Sequence, residues 1–122
     1  MKYGITLVSH VEEIAHGLPK LLKQVAQEVP ITFAGGTSDG DVGTSMEKIL
    51  AAFENNEADD ILAFYDLGSS KMNLELASEM TAKKIHLYDT AFIEGAYTAA
   101  TLLQANVALP EIEKQLEELK IK

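Results

Sequence analysis

Few side chains in this sequence could form a reactive centre, and His10 is the first of them. An imidazole can serve as a base, a metal ligand or a covalent phosphoryl carrier. His10 follows a short apolar run, Tyr3 to Val8. Asp66 follows another, Ile61 to Tyr65. A carboxylate beside an imidazole fixes its tautomer and stabilises its cationic form. A nucleophilic or phosphorylated histidine needs that, because one ring nitrogen must be held while the other reacts. Directly after Asp66 and Leu67 comes Gly68-Ser69-Ser70, a small hydroxyl-rich turn. Where such a turn enters a helix, its backbone N–H groups are free to meet an anion. A second loop opens with Gly35-Gly36 and runs through Gly40 and Gly43 to Thr44 and Ser45. It matches neither the dinucleotide fingerprint nor the P-loop, which needs a Gly-Lys-Ser/Thr ending.

Each of these residues also has an ordinary structural use. Asp66 could cap its own turn. Thr44 with Glu47 fits a capping box, and Ser69 or Ser70 could cap the next helix. His16 reads as a solvated or packing residue, and His86 as a core or edge histidine of a strand. With no tight histidine pair and no cysteine, a zinc site is not expected.

Four apolar runs must position these groups: Tyr3–Val8, Ile31–Ala34, Ile61–Tyr65 and Ile85–Tyr88. They read as strands of a parallel sheet covered on both faces. Between them lie helical patterns. Leu18, Leu21, Leu22, Val25 and Val29 share helical spacing up to Pro30, while Gly17 and Pro19 suggest a separate turn after His10. Further helices are expected over Thr44–Glu54, Met72–Met80 and Ile93–Ala105, and from Pro110 onward. Ile93–Ala105 carries one formal charge, so it should be deeply buried or face another subunit. The alternation implies an α/β fold, a doubly wound and mainly parallel four-stranded sheet with helices on both faces. In the usual order 2-1-3-4, the first and third strands are neighbours. Their carboxyl ends then bring His10 and Asp66 across one crevice.

The bulk numbers narrow the function. The 122 residues suit a single domain, residues 1–122, and 47% are hydrophobic, a globular composition. Ten basic and nineteen acidic side chains give a net charge of −9, which argues against nucleic acid and anionic membrane as partners. The six-residue apolar start lacks the charged region, length and cleavage site of a signal peptide. No apolar run approaches bilayer length, so a cytoplasmic protein is expected.

Several motifs gain meaning from their order. They are Leu7-Val8-Ser9-His10, Gly35-Gly36, Gly43-Thr44-Ser45, Tyr65-Asp66-Leu67-Gly68-Ser69 with Met72-Asn73, and Glu94-Gly95-Ala96. Together, along the whole chain, they resemble the phosphotransferase subunits of phosphoenolpyruvate-dependent dihydroxyacetone kinases, in the mannose-type IIA family of the sugar phosphotransferase system. The resemblance implies a single IIA-like domain whose His10 takes a phosphoryl group from the phosphocarrier HPr on Nε2. His10 would pass it to ADP held by the kinase subunit DhaL, which phosphorylates dihydroxyacetone bound on DhaK. Asp66 would orient the imidazole through Nδ1. Ser9, Thr44, Gly68 and Ser69 are the candidate phosphate contacts. The resemblance implies a homodimer with no cofactor of its own, since the nucleotide stays on the partner subunit, and with no metal. The chain departs from the family pattern at Val11, where serine is common, and at His16-Gly17, where Glu-Gly is common.

Two other readings compete. A receiver-like signalling domain would be phosphorylated on Asp66, but it needs an acidic pair after the first strand, where this chain has Ser9-His10. A flavodoxin-like binding module would need aromatic residues in the loops, where few are present.

Overall fold

Strict alternation inside the apolar runs decides how the layers form. A computed structural model describes residues 2–122. Ile5 and Leu7 on β1 (Tyr3–Ser9) and Leu62 and Phe64 on β3 (Asp60–Tyr65) point to one face of the sheet. Val8, Ile61, Ala63 and Tyr65 point to the other. With β2 (Ile31–Gly35) and β4 (Lys84–Tyr88) they form a four-stranded, all-parallel sheet in the order β2-β1-β3-β4. Central strands buried on both faces explain why these runs are continuously apolar rather than alternating with polar residues.

Five helices cover the sheet: α1 (Glu12–Lys23), α2 (Met46–Asn55), α3 (Lys71–Met80), α4 (Phe92–Gln104) and α5 (Leu109–Glu117). Leu18 and Leu22 of α1, Ala96, Ala99, Ala100 and Leu103 of α4, and Ile112 and Leu116 of α5 complete the core on the Ile5 face. Ile49, Ala52 and Phe53 of α2 with Leu74 and Ala77 of α3 complete the other. A fully buried side chain of this size stabilises the fold by about 1.5–3 kcal/mol. The alanine run in α4 lets that helix lie close to the sheet while Ile93 and Tyr97 stay exposed on its outer side.

The first helix differs from the sequence expectation. It starts at Glu12, immediately after the His10 corner, and runs straight through Gly17 and Pro19. Ala15, Leu18 and Leu22 form a buried stripe against the sheet. Their burial offsets the roughly 1 kcal/mol cost of a helical glycine and about 3 kcal/mol of a helical proline. The helix ends at Lys23, short of Pro30, and single turns connect it to β2. Its early start brings the positive end of the helix dipole next to His10. Gly35 permits that closeness, since a Cβ there would lie 2.6 Å from the Ala15 Cβ and 2.9 Å from the Glu12 Cα.

Candidate functional site

The register places the reactive groups. Val8 on β1 pairs with Tyr65 on β3, so Ser9 and His10 leave one strand where Asp66 leaves the next. The backbone N–H of Asp66 donates to Val8 O at 3.2 Å, which continues the ladder by one bond. The Asp66 carboxylate then turns back over the end of β1 and takes four hydrogen bonds. Oδ2 accepts from the Ser9 hydroxyl at 2.8 Å and the His10 backbone N–H at 3.0 Å. Oδ1 accepts from His10 Nδ1 at 2.8 Å and the Leu67 backbone N–H at 2.8 Å. Burial pulls this carboxyl's pKa up. The bonds from His10, Ser9 and Leu67 outweigh burial and hold it below the ordinary aspartate value. Asp66 is therefore an anion at neutral pH with both oxygens engaged. That removes the free oxygen a receiver-like phosphoacceptor would need.

The tautomer of His10 follows. An ionised carboxylate only accepts, so Nδ1 carries a proton, and in the neutral ring the lone pair is on Nε2. The Ser69 hydroxyl donates to Nε2 at 2.6 Å. This is the arrangement of a poised nucleophile, with one nitrogen locked by a carboxylate and the other outward under a movable hydroxyl. The His10 side chain retains 14% of its exposure, enough for an approaching partner but not for free rotation.

The proposed phosphate contacts separate into two groups. Ser69 lies against the reactive nitrogen, in the short 3-10 turn Gly68–Ser70 that leads into α3. At Gly68 an added Cβ meets nothing within 4 Å, so the space above this turn is open. Ser9 lies elsewhere than expected. It is fully buried, donates to Asp66 and accepts from the Val11 backbone N–H at 3.1 Å, so its hydroxyl supports the carboxylate from behind. Thr44 accepts from Asn73 Nδ2 at 2.8 Å, a bond that ties the glycine loop to α3 and leaves its O–H free to donate. The capping role expected of Thr44 belongs to Ser45, whose hydroxyl accepts from the Lys48 backbone N–H. The glycine loop itself closes on the site, with the Gly43 N–H donating to His10 O at 2.9 Å.

The other histidines stay apart from this cluster. His16 packs edge-on against Phe33, and His86 lies on β4, 3.6 Å from Asp60 at the opposite end of the sheet. Among the described residues no cluster of three or more histidine, aspartate or glutamate side chains is arranged to hold a metal ion. Among the same residues no helix is long and apolar enough to cross a membrane.

Sequence reasoning missed a second layer behind Asp66. Tyr65 donates its phenol to Asp89 Oδ1 at 2.5 Å, and Lys71 pairs with Asp89 at 3.2 Å. Burial and the Asp89 carboxylate push the Tyr65 phenol well above its ordinary pKa, so it remains a donor. Lys122 reaches the same place from the far end of the chain. No local pattern announces these contacts, because each joins segments distant in sequence.

Comparison with known proteins gives a consistent picture. A family model described as EIIA-man, PTS system fructose IIA component, matches residues 4–113. The chain is 49% identical over 121 residues to a Lactococcus lactis protein named PTS-dependent dihydroxyacetone kinase, phosphotransferase subunit DhaM, covering 99% of this chain and 98% of that one. It is 42% identical over 120 residues to a Listeria innocua protein named PEP-dependent dihydroxyacetone kinase 1, phosphoryl donor subunit DhaM, covering 98% and 97%. Among solved structures, a protein of unknown function called EF1359 superimposes with a TM-score of 0.85 at 32% identity, over 100% of this chain and 98% of that one.

Proposed function

This chain belongs to the EIIA-man family, and from that premise we propose that it carries a phosphoryl group on His10 in a phosphoenolpyruvate-dependent dihydroxyacetone kinase. One observation carries the reading to specific atoms. Asp66 holds Nδ1 of His10 at 2.8 Å while Nε2, the lone-pair nitrogen of the neutral ring, faces outward beside the Ser69 hydroxyl. The phosphocarrier HPr is the proposed donor. Nε2 attacks the phosphorus, the N–P bond to His10 forms, and the bond to the donor breaks. His10 keeps its Nδ1 proton throughout, and Asp66 balances the positive charge that develops on the ring. In the second transfer a terminal oxygen of ADP on DhaL attacks the same phosphorus, the Nε2–P bond breaks with its electron pair returning to the ring, and the ring becomes neutral. DhaL and DhaK then complete the phosphorylation of dihydroxyacetone.

Such a transfer needs positioning and charge stabilisation more than covalent chemistry from the protein. The Ser69 hydroxyl can turn from Nε2 to a phosphate oxygen, and the Gly68–Ser70 turn offers N–H groups beside it. In this reading the chain requires no cofactor and no metal of its own. A carrier also needs a face for its partners rather than a closed pocket. Leu67 and Met72 are exposed beside the turn, and Val42 is exposed next to Gly43 on the glycine loop. They frame His10 with apolar surface for docking. A homodimer belongs to the same reading, with the exposed Ile93 and Tyr97 of α4 as a meeting surface.

The test is an intact-mass measurement after incubation with phosphoenolpyruvate, enzyme I and HPr. One phosphate per chain, acid-labile and base-stable, absent in His10→Ala, is the expected result. No adduct while HPr is phosphorylated in the same tube would refute the carrier role.

A further inference from the structure

The peptide between Tyr65 and Asp66 is held from both sides. Its N–H, on Asp66, donates to Val8 O on β1. A trans peptide directs its C=O away from its N–H, so Tyr65 O points toward the β4 side. β4 ends at Tyr88, which pairs with Phe64, so Tyr65 lies one residue beyond the last pair of the β3–β4 ladder and has no strand neighbour on that side. The ammonium of Lys122 fills that gap. Nζ donates to Tyr65 O at 2.7 Å and to Thr90 O at 2.5 Å, and lies 4.4 Å from the centre of the Tyr65 ring.

This lysine is placed by the fold and is not a free surface charge. Lys120 bridges antiparallel to Thr90, and the Ala91 N–H donates to Leu119 O at 2.9 Å. The N–H groups of Ile121 and Lys122 both donate to Asp89 O, at 3.1 and 3.2 Å. Thr90 is buried, and Gly95 of α4 packs onto it so closely that a Cβ there would lie 2.0 Å from Thr90 Oγ1. Burial pulls the Lys122 ammonium pKa below its ordinary value, against the opposing pull of Asp66 and Asp89. The sequence contains no arginine, and Lys71 is already paired with Asp89.

We propose that Lys122 is a positioning residue for phosphoryl transfer, its ammonium clamping the Tyr65–Asp66 peptide so that the Asp66 carboxylate keeps Nδ1 of His10 in place. This rests on the carrier reading above. Without the clamp, the peptide keeps only its bond to Val8 O, and the carboxylate, still held by Ser9 and the His10 and Leu67 N–H groups, shifts relative to the ring. Misplacement of a reacting group by about 1 Å costs on the order of a hundredfold in rate. The lost cation also changes the field at His10.

Lys83 supplies a natural control. It also donates to two backbone carbonyls, those of Asn56 and Ala58, but at the amino end of the sheet, away from His10. The experiment compares wild type, Lys122→Met, Lys122→Arg and Lys83→Met. It measures transfer from phosphorylated HPr, the His10 ring titration by NMR without any phosphoryl donor, and the melting temperature. Lys122→Met is expected to slow transfer about tenfold or more and to displace the His10 titration. Lys122→Arg should restore most of both. Lys83→Met should lower the melting temperature while leaving transfer and titration as in wild type. Wild-type transfer in Lys122→Met would overturn the proposal. So would a loss of rate that follows the melting temperature alone, with the His10 titration unmoved and no rescue by arginine. If wild type itself accepts no phosphate, the carrier reading fails, and the titration still decides whether Lys122 acts on His10.

Discussion

The two ends of the sheet are fastened in the same manner and put to different uses. At the amino end the Asn56 side chain donates to Ile5 O at 3.0 Å and to Thr32 Oγ1 at 3.2 Å, and accepts from the Ala58 N–H at 3.0 Å. At the carboxyl end Asp66 joins β1 to β3 through Ser9 and His10. A lysine sits on two carbonyls beside each. Asn56 is 2% exposed and all its partners are inert, so that end is closed. Asp66 differs in one partner, an imidazole whose second nitrogen faces outward. The contrast teaches that a site of this kind is a structural fastening with one bond given to a reactive ring.

Substitutions at each end break this contrast in opposite ways. His10→Ala should abolish phosphoryl acceptance and leave the melting temperature within a few degrees of wild type, as intact mass and calorimetry would register. Asp66→Ala should reduce transfer by about a hundredfold, the scale for removing the group that orients a reactive histidine. It should also destabilise the fold by about 1–3 kcal/mol, because the Ser9 hydroxyl and the neighbouring backbone donors lose their acceptor. Asn56→Ala should show the reverse pattern. Chemical denaturation should read a loss of about 2–3 kcal/mol, with the transfer rate per folded molecule unchanged. A large rate loss in Asn56→Ala would show that the two ends are not independent.

Acid sharpens the comparison, since only one fastening titrates. Asp66 has its folded pKa lowered, so its contribution to stability is fully present above the unfolded carboxylate value near 4. It is lost as pH falls through the lower folded value. Denaturation from pH 6 to pH 2 should therefore steepen in wild type relative to Asp66→Asn. The smallest effect is expected for Ser69→Ala, a few-fold slower transfer with unchanged stability, because its hydroxyl touches only the exposed nitrogen.

The sheet, its order and the meeting of His10 with Asp66 could be read from the sequence. Continuous apolar runs mark parallel strands, and strand order follows from general topology. The errors have local causes. Gly17 and Pro19 argue against a helix only as long as the buried stripe of Ala15, Leu18 and Leu22 is ignored. Thr44 and Ser45 are adjacent hydroxyls, and the choice between them depends on where Asn73 arrives from α3. Ser9 follows the parity of Ile5 and Leu7, which signals burial rather than contact with a phosphate. Asp89 and Lys122 act through tertiary contacts that leave no periodic trace.

The open space above Gly68 also makes the docking event observable. The sequence has no cysteine, and a Cβ at this position would meet nothing within 4 Å beyond its own chain neighbours. Gly68→Cys would thus create a single thiol at the mouth of the crevice, one residue from Ser69, to which a fluorophore could be attached. Its emission should change each time a partner covers His10, so donor and acceptor encounters could be timed separately from the chemical step.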